Sequence, residues 1–395
     1  MSTIRHTLRA ATLDDVEPVA ELLREVAFKA RSEAGWRWLF QDNPVHRRQN
    51  PPPQMGWVLE REGTLQGYLG NVHLEYVFDG KPLRAATCTS YYVRPGSRAE
   101  STRLMSVFFR QQGIDLFLST TANAQSEPIY RLFKAVVPED PSFSRGLVWI
   151  ADDRAALRDT LAQVGVPRGL ASSLAEIASP ASRLVRHVTG FATVPRHESY
   201  EAVQMLGLHD LDERFDRLWD RLASAPGLRV RRDAASLRWY FSDPDAGGVP
   251  VLFTVTDGEG LVGYAAAARH RPPGVKSTQM RILDMVVRPG GERAVPPLLR
   301  AVLAHARESG VGLVYSAPCG GVLAEQLGAL HPYSHRHAYA AHFLRAAPRT
   351  ATASLTAPGI WHATALDGDT PFCIEHAGFD EATFIEPPSH ELKET

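Results

Sequence analysis

The chain has 395 residues, 44% of them apolar and 22% charged, which is enough apolar material for two hydrophobic cores in a globular protein. A net charge of −1 without a long basic block excludes a general nucleic-acid footprint, and Cys88, Cys319 and Cys373, odd in number and without CxxC spacing, exclude a disulfide framework. No charge-free run of about 18 apolar residues occurs, so no membrane insertion is expected, and the polar start Met1 to His6 predicts a cytoplasmic protein without a secretory leader.

Ile4 to Arg9 alternates as a first strand. Thr12 then caps a helix opening Leu13-Asp14-Asp15-Val16, with acidic residues in the first turn and Val16, Val19, Ala20, Leu22 and Leu23 at helical spacing. After Trp36 to Phe40, a proline-rich loop from Asn43 to Pro53 ends the helical region. Strands are predicted at Gly56 to Arg61, Leu65 to Leu74, Glu75 to Phe78 and Leu83 to Val93, with turns at Glu62-Gly63 and Asp79-Gly80. Leu104, Val107, Phe108 and Gln111 mark a helix, Asp115 to Thr120 a short buried strand, and Ser126 to Lys134 a further helix.

Residues 151–198 read as a helical connector, broken at Gly165-Val166-Pro167 and at Ser179-Pro180. The strand–helix order then recurs. Tyr200 to Leu206 is a strand, His209 to Leu222 a helix, and Val251 to Val255, Val262 to Ala268 and Met280 to Val287 are strands. Pro297 to Arg307 is a helix and Leu313 to Ala317 a strand. The polar stretch 379–395, with Pro387-Pro388, reads as a loosely packed tail.

The recurrence is also literal. Arg37-Trp38-Leu39-Phe40 returns as Arg238-Trp239-Tyr240-Phe241, Gly67-Tyr68 as Gly263-Tyr264, and Val93-Arg94-Pro95-Gly96 as Val287-Arg288-Pro289-Gly290. A period this long exceeds that of solenoid repeats, about 20–50 residues, and implies two copies of a whole domain. The expected division is 1–150 for the first copy, 151–198 for the connector, 199–378 for the second copy and 379–395 for the tail. Each Arg-Trp pair is expected to pack its helical region on its own sheet.

The chemistry is expected in the first copy. The strand ending Tyr91-Tyr92-Val93 runs through Arg94-Pro95-Gly96-Ser97 into a helix, and a turn of small residues at a helix start can present backbone N–H groups to a phosphate. Asn123, Ser126 and Tyr130 follow the next strand at the spacing Asn-x-x-Ser-x-x-x-Tyr. This order resembles the GNAT acetyltransferase superfamily. The resemblance implies an α/β fold of two tandem GNAT-like domains, each a mixed, partly splayed β-sheet flanked by helices. It further implies a donor of acetyl-CoA or another acyl-CoA, held by Tyr91, Val93, Arg98, Ala99, Glu100, Ser101, Thr102, Asn123 and Ser126, with Tyr130 protonating the leaving thiolate. Ser101 and Arg103 stand where the family's pyrophosphate loop carries small glycine positions.

Glu75 is the candidate general base, with His73 on the same strand face. The second copy carries Pro296-Pro297 where N–H donors are needed and lacks the Asn and Tyr, so it reads as a degenerate partner. Asp284 there reads either as a polar site or as paired with Arg281 or Arg288, and Cys319 as a small buried thiol. His331, His335, His337 and His342 cluster without a Cys or carboxylate at ligand spacing, and no metal is expected. The reading is an N-acyltransferase acting on a small-molecule amine. A Fem-like aminoacyl transferase and a non-catalytic binding protein remain alternatives.

Overall fold

The computed structural model describes residues 6–26, 30–189, 194, 203–271, 275, 277–336, 342–347, 352–373 and 385–386. Its strands, numbered along the chain, begin with β1 (Thr7–Ala10), β2 (Gly56–Arg61), β3 (Thr64–Phe78), β4 (Lys81–Val93) and β5 (Leu116–Ser119). Next come β6 (Arg145–Ile150), β7 (Gln204–Leu206), β8 (Leu228–Val230), β9 (Val251–Asp257) and β10 (Gly260–His270). The last are β11 (Gln279–Val287), β12 (Leu313–Ser316), β13 (Tyr333–Arg336), β14 (Phe343–Ala346) and β15 (Ile385–Glu386). One sheet has the order β1-β2-β3-β4-β5-β14, with β8 on β3, and the other β15-β13-β6-β12-β11-β10-β9-β7.

Each sheet is antiparallel except at one place, β4 on β5 and β11 on β12, where the strands run parallel. The two halves therefore share one plan, and they also exchange a strand. β6, from the first copy, lies antiparallel between β12 and β13, and β14, from the second, closes the first sheet on β5. The expected boundary at residue 150 consequently ends a strand that belongs to the second sheet.

Among the described residues, three apolar cores follow from this plan. The outer face of the first sheet packs Leu59, Leu69 and Phe117 on Leu104 and Phe108 of the helix Ser101–Phe109. The outer face of the second packs Phe253, Met280 and Val314 on Leu298 and Val302 of the helix Val295–Glu308. The third core joins the copies, with Trp38, Leu39, Tyr76 and Leu74 from one and Trp239, Tyr240, Phe215 and Tyr264 from the other.

Trp38 and Trp239 sit in that shared core, stacked on each other with ring centroids 5.3 Å apart, rather than each on its own sheet. The other repeated residues have local roles. Gly67 and Gly263 lie where a Cβ would come within 2.9 Å of Val93 Cγ2 and 2.5 Å of the Val286 carbonyl oxygen, respectively, so a side chain would push the paired strands apart. Arg94 and Arg288 begin the exit from the sheet by donating their N–H groups to Gln66 and Val262, each at 2.8 Å.

Several predicted elements differ in extent. Leu65 to Leu74 and Glu75 to Phe78 form one strand of 15 residues. The loop from Asn43 contains a short helix, Pro44–Arg47, because the Asn43 side chain accepts from the Val45 N–H and proline occupies the first turn. The connector's second helix, Arg168–Thr189, runs through Pro180 instead of breaking there. Buried Ala171, Ala175 and Ser179 form a stripe at four-residue spacing, and Ser182 Oγ bonds Asp153 Oδ1 at 2.8 Å, which together offset the lost backbone bond. Of the predicted strands, Ile4 and Arg5, and residues 200–202, lie outside the described residues. Most of the tail does too. No described helix is long and apolar enough to cross a membrane.

Candidate active site

β4 and β5 pair only from Ala85 and Leu116 to Thr87 and Leu118; then β5 ends at Ser119 while β4 continues to Val93. The sheet is splayed at that point, and β4 loses its partner on one edge. In the same stretch the β3–β4 register slips, with Tyr68 opposite Tyr92 but Gly70 opposite Thr89. This bulge is centred on Ser90, a non-glycine residue at φ 55°. Such bulges re-aim backbone groups and side chains, and they recur next to functional sites.

Tyr130 reaches the splay from the helix Glu127–Leu132. Its ring stacks on Phe343 of β14 at 5.3 Å, and its hydroxyl lies 2.9 Å from Cys88 Sγ on β4. Burial pushes the Tyr130 phenol well above its ordinary range and raises the Cys88 thiol as well, so both keep their protons at neutral pH. The turn before the helix explains this aim. Asn123 Oδ1 accepts from the N–H groups of Gln125 (3.1 Å) and Ser126 (2.9 Å), and Ser126 Oγ accepts from the Asn123 N–H at 2.9 Å. Both side chains thus build the turn that places Tyr130.

The expected open turn after β4 is a 3-10 helix, Pro95–Glu100, leading into Ser101–Phe109. Its N–H groups fold back on its own carbonyls, Ser97 to Arg94 at 2.9 Å and Ser101 to Arg98, which leaves few of them facing outward. Val93 is buried, and Arg98, Ala99 and Thr102 are exposed. Tyr91 donates to the Ser101 carbonyl at 3.4 Å, and Arg103 is drawn to Glu100 at 2.5 Å.

Glu75 is not brought to Tyr130. Its carboxylate is held by Arg48 (2.8 Å) and Arg231 (2.9 Å) at the seam where β8 joins β3. Along β3 it lies four residues, roughly 13 Å, from Asn71, the partner of Cys88. His73 is buried against Gln111 Oε1 at 2.9 Å and the His46 ring at 5.6 Å, and burial lowers its basicity.

A different carboxylate occupies the splay. Asp369 Oδ1 accepts from the Thr120 N–H at 2.6 Å and from its hydroxyl at 3.1 Å, and Oδ2 accepts from the Thr121 hydroxyl. Thr370 Oγ1 lies 2.7 Å from Thr120 Oγ1, and Cys373 Sγ lies 3.6 Å from Thr89 Oγ1. Burial pushes the Asp369 carboxyl up, partly offset by the Thr120 N–H. Sequence reasoning missed this residue because it lies 249 residues from Thr120, inside the expected second copy. The only local signal is Asp367-Gly368-Asp369, two acids around a glycine at φ 58° in a stretch of small and apolar residues.

The second copy closes the corresponding place from within. Asp284 sits at its bulge, and its carboxylate meets Arg232 (3.0 Å), the Thr364 hydroxyl (2.7 Å) and the Tyr264 hydroxyl, not Arg281 or Arg288. Arg232 also holds Asp367 at 3.1 Å, and all three charged side chains are at most 1% exposed. Burial opposes the Arg232 charge, but Asp284 and Asp367 more than offset it and hold the guanidinium above its usual range. At the loop, the Gly290 N–H is taken by Glu292 Oε1 at 3.0 Å. Arg288 instead pairs with Asp257 and Glu259.

In the first copy the bulge carries Ser90 in place of an acid, and Arg31 turns away to Asp243 (3.0 Å) and the Phe372 carbonyl (2.9 Å). Between Arg31, Tyr68, Thr89 and Ser90 remains a cavity of about 10 Å³, room for one water. Cys319 is buried, its thiol pushed up to about 12. His342 stacks on Phe143 at 4.7 Å, and His337 lies outside the described residues. Among the described residues no three His, Cys, Asp or Glu side chains group as metal ligands.

No protein-family model matches the chain, and no curated protein matches its sequence. Solved structures do match in shape. A GCN5-related N-acetyltransferase from Anabaena variabilis superposes with TM-score 0.53 at 14% identity, over 87% of this chain and 73% of that one. A probable N-acyltransferase from Enterococcus faecalis gives TM-score 0.53 at 11% identity, over 87% and 72%. Saccharomyces cerevisiae N-myristoyltransferase, solved with bound myristoyl-CoA and inhibitors, gives 0.50 at 11%, over 87% and 80%. The splayed parallel pair in each sheet and these matches together show that the chain has a tandem GNAT fold.

Proposed function

We propose that the chain is an N-acyltransferase that moves an acetyl or other acyl group from acyl-CoA to the amine of a small molecule, using the first copy. The observation that carries the reading is the neutral Tyr130 hydroxyl held at the splayed edge of β4, 2.9 Å from Cys88. The unpartnered stretch of β4 beyond Thr87 fits an extended, amide-bearing chain, which would add to the sheet edge as a strand does. Arg98 and Thr102, both exposed, are the groups that would meet the donor's phosphates.

In the reaction the amine nitrogen forms a bond to the thioester carbonyl carbon, and the carbon–sulfur bond breaks. Tyr130 delivers its proton to the departing sulfur. The amine proton passes to a carboxylate, a role that Asp369 fits better than Glu75, because Glu75 is committed to two arginines. A carboxyl group raised by burial is a better match to proton transfer near neutral pH. The second copy, with its internal Arg232 ion pairs, serves as a wall of the acceptor side.

The self-bonded loop at Pro95–Glu100 favours a second reading, a non-catalytic binding or scaffold protein whose phosphate loop has decayed. Titration with acetyl-CoA separates the two. At about a hundredfold excess over Kd, a binding chain gains about 2.7 kcal/mol of stability. Acetylation of an amine panel then marks the enzyme. No stabilisation by acetyl-, butyryl- or myristoyl-CoA overturns the proposal.

A further inference from the structure

A pocket of about 300 Å³ lies between the helical connector, the end of β10 and the turn before β12 at Gly310 and Val311. Four arginines line it: Arg158 and Arg168 from the connector, and Arg269 and Arg271 from β10 and the residue after it. Ser172, Ser277 and Thr278 add hydroxyl groups. Asp159 is the one carboxylate lining it among the described residues, and Arg158 already holds it at 2.8 Å. Arg271 reaches the Thr278 hydroxyl at 3.5 Å, and Arg168, Arg269 and Arg271 are exposed.

In a chain of net charge −1, this is a local excess of positive charge built from three separate segments. Arginine forks match phosphate oxygens in paired hydrogen bonds, and hydroxyls complete such a shell. No aromatic side chain lines the pocket among the described residues, so what it can recognise is the anionic group itself and not a base stacked beside it.

We propose that this pocket binds the phosphate group of a small phosphorylated ligand. The site borders the outer core of the second sheet at Val311 and is independent of the acyl-transfer reading.

Calorimetry with inorganic pyrophosphate and with glucose 6-phosphate tests it, comparing the full chain with Arg269→Glu and Arg168→Glu. Either probe should bind with an affinity that falls with salt, and each charge reversal should weaken it by about tenfold or more. Pyrophosphate as the tighter ligand assigns the pocket to free polyphosphate, and the sugar phosphate as the tighter one to a phosphorylated metabolite. The proposal is overturned if neither probe binds at millimolar concentration, or if both exposed-site variants bind as the parent does. It is equally overturned if only a long RNA, and no small phosphate, depends on these arginines.

Discussion

Trp38 and Trp239 hydrogen-bond to each other reciprocally: the indole of Trp38 donates to the Trp239 carbonyl at 2.7 Å, and that of Trp239 to the Trp38 carbonyl at 2.9 Å. A buried indole N–H needs an acceptor, and each copy supplies the one the other needs. The repeated tryptophan is therefore one of the contacts by which the two halves recognise one another.

Replacing either by phenylalanine should cost about 1–3 kcal/mol, since a buried carbonyl loses an indole donor while the ring stack survives. W38F should fall at the lower end, because the Trp239 carbonyl keeps the Ser242 N–H (3.2 Å) and hydroxyl (3.1 Å). Urea denaturation of W38F, W239F and the double variant gives the coupling. A coupling of about 0.5–3 kcal/mol is expected for groups in direct contact. Strict additivity would show that the two bonds do not act together.

Tyr130→Phe should lower kcat by about 10²–10⁴ while acyl-CoA affinity stays near that of the parent. The ring keeps its place on Phe343, so folding is little affected. Lost affinity with unchanged kcat would make the hydroxyl a binding group.

Arg232→Met should be far more damaging than a surface change, costing about 3–5 kcal/mol, because it strands Asp284 and Asp367 in the core. The measurement is the urea midpoint. Recovery in the triple change with Asp284→Asn and Asp367→Asn would identify the stranded charges as the cause.

His46 gives a pH signature. Its Nδ1 lies 3.0 Å from the Phe40 carbonyl, and its Nε2 accepts from the His73 N–H at 2.9 Å, so the fold uses the neutral ring. Burial, with His73 nearby, lowers its pKa from 6.5 to about 3. The folded value lies below the unfolded one, so this contribution is complete above pH 6.5 and is lost as pH falls towards 3, at up to about 1.4 kcal/mol per unit. His46→Gln should flatten that part of the stability–pH curve; an unchanged slope would count against it.

Asp369 has the opposite sign. Its folded pKa lies above the ordinary 3.8, so the folded chain holds the proton more tightly, and stability falls as pH rises from 3.8 through the folded value. Asp369→Asn keeps an acceptor for the Thr120 N–H and removes that loss. Its stability relative to the parent should therefore rise with pH across this range and then level off, as followed by Tm from pH 4 to 8. A parallel pair of curves would show an unperturbed carboxyl.

Much of this was readable along the chain. Turns such as Glu62-Gly63 and Asp79-Gly80 placed β2, β3 and β4, because left-handed turn residues are a local property, although burial along these strands runs on both faces and does not alternate. The turn that aims Tyr130 is also local, although Asn123 and Ser126, which close it within a few residues of the ring, were expected to hold the donor instead. Glu75 was less legible: it was placed with His73 on one strand face as the candidate base, but its partners, Arg48 and Arg231, come from a distant loop and from the other copy.

The sequence by itself determined that there are two copies, that each forms a sheet with flanking helices, and that their loops have diverged, because periodicity, capping and the absence of a proline N–H are written in neighbouring residues. Tertiary structure alone decided which copy owns which strand, with β6 and β14 exchanged, and which groups meet at the splay. Asp369 reaches Thr120, and Arg232 reaches Asp284, only because two sheets close on one core. A buried charge or a strand edge takes whichever partner the closed fold brings within hydrogen-bond distance, and chain separation does not enter that energy.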